Sequence, residues 1–209
     1  MPELTRYKVL ALDLDGTVLD HNLTASPGVK QRLHWLHTQT DCKVVIATGR
    51  MSVSAQRFAA DLGITQPVIS YQGAMIRAMS GERLHHDPIP LPVAQSVVAR
   101  LSEQQIAVNV YIDDVLYMHH SNPYREAYAR LGGTTPVIVA DLQAHMTAPP
   151  TKLLVIDEHR IDAVLAELKQ HYPDTLAPCK SRQNFCEVIG AQVSKWAGIR
   201  WLIEQWGIT

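Results

Sequence analysis

Cysteine is scarce in this 209-residue sequence: Cys42, Cys179 and Cys186 are an odd number without a CxxC pair, so no disulfide framework is written into it. That usage fits a reducing cytoplasm, and the start Met1-Pro2-Glu3-Leu4 lacks the charged-then-apolar pattern of a secretion signal. No apolar run approaches the roughly 18 residues that span a bilayer, because charged or turn residues interrupt each one. Clusters of Lys or Arg are missing too. With Lys+Arg 19 against Asp+Glu 20, the net charge of −1 offers a nucleic-acid backbone no electrostatic footprint. There is no internal repeat and no low-complexity segment. With 46% apolar and 19% charged residues, the composition excludes disordered, collagen-like and coiled-coil chains. An ordinary globular protein of one large or two small domains is left.

The order of apolar runs sets the fold class. Tyr7 to Leu12 is a continuous apolar run that stops at Asp13, as a strand buried on both faces of a parallel sheet does. Ser26-Pro27 supplies an N-cap and first-turn proline for a helix over 27–39, with Val29, Leu33 and Leu36 at helical spacing. A strand at 43–47, a helix from Ser54 to Leu62 closed by Gly63 and a strand at 67–71 follow. This βαβαβ order predicts parallel strands. From about residue 74 the rhythm changes. A hairpin around Ser80-Gly81 leads to a helix near 92–104 and a second hairpin, 108–112 with 115–119, turned by Asp113-Asp114. A helix from Asn122-Pro123 to Leu131-Gly132, a strand at 152–156, a helix through Ile161 to Leu168, and strands at 176–180 and 185–189 come next. Ser194 opens a last helix that Gly207 stops.

Asp13-Leu14-Asp15-Gly16-Thr17 sits directly after the first strand, at the carboxyl edge where open α/β sheets bind ligands. Two carboxylates two residues apart can give one nucleophile and one proton donor, while Gly16 lets the backbone turn close to an anion. A carboxylate attacking a phosphoryl group must overcome charge repulsion, so such a site calls for a divalent cation with hard oxygen ligands, Mg²⁺ foremost. Thr48-Gly49-Arg50 ends the second strand and can present a hydroxyl, amides and a guanidinium to the same anion. Lys195 stands in the first turn of the last helix, where the macrodipole disfavours a cation. A bound phosphate would offset that.

The runs VLALDLDGTVLD, VVIATGR, VISYQGA and VSK resemble the haloacid dehalogenase superfamily of phosphohydrolases, Cof-like subfamily, across essentially the whole chain. The resemblance implies a Rossmann-like α/β core with an inserted α/β cap, divided here as core 1–81, cap 82–188 and core 189–209. It implies that Asp13 is the nucleophile and a Mg²⁺ ligand. Asp15 is the acid/base and lends its carbonyl to the metal. By the same implication Thr48 hydrogen-bonds the phosphate and Lys195 neutralises charge on nucleophile and phosphoryl group, while Gly49, Arg50 and Gly73 are further expected to bind substrate. The implied function is Mg²⁺-dependent hydrolysis of a small phosphorylated metabolite such as a sugar phosphate, through an aspartyl-phosphate.

The family pattern and this sequence part in three places. Gln72 stands where Asn is usual, and Trp196 where Gly is common after the lysine. The acidic stretch that completes the metal site in the family lies past the lysine helix, where only Ile208 and Thr209 remain. The expectation is therefore a core truncated at its C-terminal end, with an apolar edge on the first strand able to self-associate. A non-catalytic phosphate-binding or interaction protein is the alternative reading. The pairs His85-His86 and His119-His120 point to opposite strand faces and do not chelate one ion. Arg125, Lys152, Arg182 and Asn184 read as surface polar groups of the insertion.

Overall fold

The computed structural model describes residues 7–126 and 134–208. It divides into two compact units, Met1–His86 with Val193–Thr209, and Asp87–Gln192. These divisions fall later than the 81/82 and 188/189 boundaries expected from sequence rhythm. Hairpin pairing is the reason at the first: Arg83–His86 is the second arm of the hairpin begun at Met75, so backbone hydrogen bonds tie it to the first unit.

In the first unit, β1 (Val9–Leu12) pairs in parallel with β2 (Lys43–Ile46), and a parallel bridge Ala47 to Ile69 joins β2 to β3 (Val68–Ser70). The strands β4 (Met75–Arg77) and β5 (Arg83–His86) continue antiparallel from β3. Helix α1 (Pro27–Gln39) begins as its sequence predicts, with Pro27 in the first turn and the Ser26 hydroxyl accepting the Val29 N–H. Helix α2 (Ser52–Asp61) starts two residues before the expected Ser54, because Ser52 is buried and its hydroxyl lies 2.6 Å from that of Ser70 on β3.

Strand β2 shows why its run is apolar at every position. Val44 and Ile46 pack with Leu33, Leu36, Ala55 and Ala59 of α1 and α2, while Val45 and Ala47 pack with Ile69, Ile76 and Leu202 on the other face. Strand β1 departs from the expectation of burial on both faces. Val9, Leu10 and Leu12 are half-buried and Ala11 is exposed, since among the described residues β1 pairs with β2 alone.

The second unit is a six-stranded mixed sheet ordered β10-β11-β9-β6-β7-β8. Its members are β6 (Ala107–Ile112), β7 (Val115–His119), β8 (Val137–Val139), β9 (Lys152–Ile156), β10 (Leu176–Arg182) and β11 (Phe185–Gly190). Asp113 and Asp114 turn the β6–β7 hairpin with φ of 48° and 63°, the left-handed pair that a tight two-residue turn needs. Helices α3 (Leu91–Glu103), α4 (Leu142–His145) and α5 (Ile161–His171) complete the unit. Ala94, Val97, Val98 and Leu101 of α3 and Val164 and Leu168 of α5 pack with Val108, Val110, Leu153, Val155 and Val188. The short β8 and α4 were not foreseen from sequence. The helix expected over Asn122 to Gly132 falls mostly on residues 127–133, outside those described. No helix among the described residues is long and apolar enough to cross a membrane.

Candidate active site

The loop after β1 is built around Leu14. Its side chain is fully buried, and its carbonyl accepts the N–H groups of Thr17, Val18 and Leu19, which winds the chain into a tight turn. Gly16 sits at φ +71° in that turn. With Leu14 turned into the core, the flanking Asp13 and Asp15 stay partly exposed, with 40% and 51% of their side-chain surface open. Downstream, Asp20 locks the loop by accepting Asn22 N–H, Thr24 N–H and the Thr24 hydroxyl on one oxygen. Those bonds, the Thr24 backbone N–H first, hold its carboxyl below the usual range.

Asp13 is engaged on both oxygens. Oδ1 accepts Leu14 N–H at 2.8 Å, and Oδ2 lies 2.7 Å from Lys195 Nζ. Lys195 is the first residue of helix α6 (Lys195–Gln205), whose N-cap Ser194 accepts Ala197 N–H at 3.0 Å. The loop after β1 and the start of α6 thus meet at the carboxyl edge of β1.

Two glycines let α6 come so close. A Cβ on Gly198 would lie 2.8 Å from the Ile69 side chain, and one on Gly73 would lie 2.1 Å from the Ser194 carbonyl oxygen. Gly73, expected to bind substrate, is therefore where the turn after β3 touches the helix cap, at φ +112°. Tyr71 and Gln72 precede it at φ 50° and 61°, so three consecutive residues are left-handed. This turn is stitched to the end of β2: Gln72 N–H donates to Thr48 O and Tyr71 N–H to Arg50 O.

Thr48 is fully buried, and its Oγ1 accepts Arg50 N–H at 3.3 Å, which leaves its hydroxyl proton as a donor. Gly49 lies under the Gln72 carboxamide, where a Cβ would meet Nε2 at 2.4 Å. Arg50 was expected to face the anion. Its fork instead clasps Asp15, Nε to Oδ2 at 2.8 Å and Nη2 to Oδ1 at 2.5 Å. Sequence reasoning missed the two residues that steady it, Ser54 and Phe58, which stand four residues apart on one face of α2.

Among the described residues, no three His, Cys, Asp or Glu side chains gather as a metal site. The Asp13 carboxylate still has lone pairs beyond its two bonds. Together with the Asp15 carbonyl it is a hard-oxygen pair, which fits an ion that keeps several waters and is completed by substrate phosphate, the habit of Mg²⁺.

A model of the haloacid dehalogenase-like hydrolases matches residues 10–209, and so takes in every residue of this loop, turn and helix cap. The chain belongs to that family. Among curated relatives, a Bacillus subtilis 5-amino-6-(5-phospho-D-ribitylamino)uracil phosphatase is 26% identical, over 98% of this chain and 77% of its own length. An HMP-PP phosphatase of Escherichia coli is 24% identical over 97% of this chain and 74% of its own. A solved Thermotoga maritima structure is similar at TM-score 0.85 with 29% identity, covering 96% of this chain and 76% of that one. A haloacid dehalogenase-like hydrolase from Bacteroides thetaiotaomicron shares the fold at TM-score 0.87 with 23% identity, over 98% and 79%. This haloacid dehalogenase-like chain is thus an enzyme of the hydrolase type, with its loop, turn and lysine cap at one strand edge.

Proposed function

We propose that the chain is a Mg²⁺-dependent phosphatase for a small phosphorylated metabolite such as a sugar phosphate, acting through an aspartyl-phosphate on Asp13. The observation that carries this reading is the 2.7 Å contact between Lys195 and Asp13, with Asp15 two residues away on the same turn. The phosphatase names of two relatives support it.

In the first half-reaction a carboxylate oxygen of Asp13 bonds to phosphorus as the ester P–O bond breaks, and Asp15 gives its proton to the departing alkoxide. In the second, Asp15 takes a proton from water, the water oxygen bonds to phosphorus, and the bond to Asp13 breaks. The sum is ester plus water to alcohol plus inorganic phosphate. Lys195 offsets the charge of nucleophile and phosphoryl oxygens, and the Thr48 hydroxyl donates to one of those oxygens. Asp13 and the Asp15 carbonyl would hold Mg²⁺, which supplies further charge neutralisation when bound. The second unit takes the role of the family's substrate-selecting cap.

The test is release of p-nitrophenol from p-nitrophenyl phosphate with Mg²⁺ and with EDTA. Turnover that EDTA abolishes and Mg²⁺ restores is expected. Hydrolysis indifferent to EDTA would remove the metal from the reading, and no hydrolysis at all would favour a non-catalytic phosphate binder.

A further inference from the structure

Arg50 is held from four sides. Its backbone N–H donates to Thr48 Oγ1 and its carbonyl accepts Tyr71 N–H, which fixes the root of the side chain in the turn after β2. The guanidinium carbon lies 4.8 Å from the centre of the Phe58 ring, and Nη1 is 3.5 Å from Ser54 Oγ, both on α2. Only 22% of the Arg50 side chain is exposed, against 51% of Asp15. The rigid partner is thus the arginine. Its Nε and Nη2 form the planar fork that matches a carboxylate, and both oxygens of Asp15 are in it. With one donor on each oxygen, the fork sets the plane and direction of the carboxylate.

We infer that Arg50 is a positioning residue that holds the Asp15 carboxylate to accept the proton of the attacking water, and so serves the second half-reaction rather than substrate binding. The inference rests on the phosphatase reading above. A carboxylate with both oxygens accepting from Arg50 is oriented to accept again. The proton it gains there is the one it gives to the next leaving group, so the same orientation serves both transfers.

p-Nitrophenyl phosphate separates the two steps, because its leaving group departs without help from an acid. In Arg50→Gln, formation of the aspartyl-phosphate should proceed at the wild-type rate while its hydrolysis slows. The expected result is a fall in kcat of about 10- to 100-fold with KM falling in step, so that kcat/KM changes by less than about threefold. A pre-steady-state burst of one p-nitrophenol per enzyme should accompany it. Arg50→Lys, which keeps the charge and loses the fork, should show the same burst. A raised KM with lowered kcat/KM and no burst would overturn the inference in favour of direct phosphate binding. Unchanged kinetics in Arg50→Gln would overturn it as well, leaving an ordinary surface ion pair. Failure of the wild type to hydrolyse the ester under any metal condition would overturn the phosphatase reading itself, and this inference with it.

Discussion

Lys195 Nζ and Asp13 Oδ2 stand 2.7 Å apart, a cation at a helix N-terminus against the first carboxylate after the first strand. The helix dipole opposes a cation there by about 0.3 to 1 kcal/mol. Both side chains are about one-third exposed or more, so the pair returns no more than roughly 0 to 1 kcal/mol. The two effects nearly cancel, and stability does not explain the placement. Under the proposed phosphatase reading, charge delivered to a reacting phosphoryl group would explain it.

Replacing Asp13 by Asn should therefore abolish turnover, by at least about a thousandfold, while the urea midpoint moves by less than about 1 kcal/mol equivalent. Asp15→Asn should also lose turnover through the proton transfer alone and still bind inorganic phosphate. Both comparisons need only steady-state assays with p-nitrophenyl phosphate and a denaturation curve. Full-rate turnover by Asp13→Asn would remove it as the nucleophile.

Gly73→Ala meets backbone rather than a yielding side chain, at 2.1 Å from the Ser194 oxygen, and strains φ +112° besides. A loss of about 2 kcal/mol or more is expected, together with a large fall in kcat as α6 and Lys195 shift. Gly81→Ala is the control: it too has positive φ, but its Cβ meets nothing within 4 Å, so it should lose stability while sparing kcat. If both variants lose activity equally, the Gly73 contact does not place the lysine.

Stability should fall in acid. The Asp20 carboxyl is held low by the Thr24 backbone N–H and its companions, and that of Glu167 first by its bond from Arg100, then by Gln104. A group whose pKa is lower folded than unfolded contributes stability above the unfolded value, here near 4, and loses it as pH falls through the folded value. Urea midpoints should therefore drop between about pH 5 and pH 2. Asp20→Asn should flatten part of that slope, and an unchanged slope would exclude the loop bonds as its source.

Thiol labelling should distinguish the cysteines. Burial pushes the Cys186 thiol up to about 12, while Cys179 is exposed and Cys42 half-buried. At neutral pH an alkylating reagent should modify Cys179 first and leave Cys186 unmodified until the protein unfolds. Mass spectrometry of peptides from native and urea-treated protein reads this directly.

Much of the first unit was legible because its signals are local. Ser26-Pro27 and Ser194 are caps whose hydroxyls reach N–H groups three residues on, so the chain alone locates both helix starts. The unbroken Val44-Val45-Ile46-Ala47 run has to be covered on both faces, which only a central strand allows. The three-residue β8 went unseen because Val137 and Ile138 are exposed and carry no alternation, and α4 because four residues give no helical period.

At the site the division is sharper. From its order of residues the chain determined which groups stand at the carboxyl ends of strands: Asp13 and Asp15 after β1, Thr48 to Arg50 after β2, and Lys195 at a capped helix start. A strand's end and a helix's start are set by near neighbours, so sequence suffices for them. Which of those groups touch was decided by packing between distant elements. Gly73 and Gly198 let α6 approach until Lys195 met Asp13. The stacking of Arg50 on Phe58 turned its fork to Asp15 rather than outward. A guanidinium can satisfy a phosphate or a carboxylate equally well, and only the positions of α2 and the β1 loop in space choose between them.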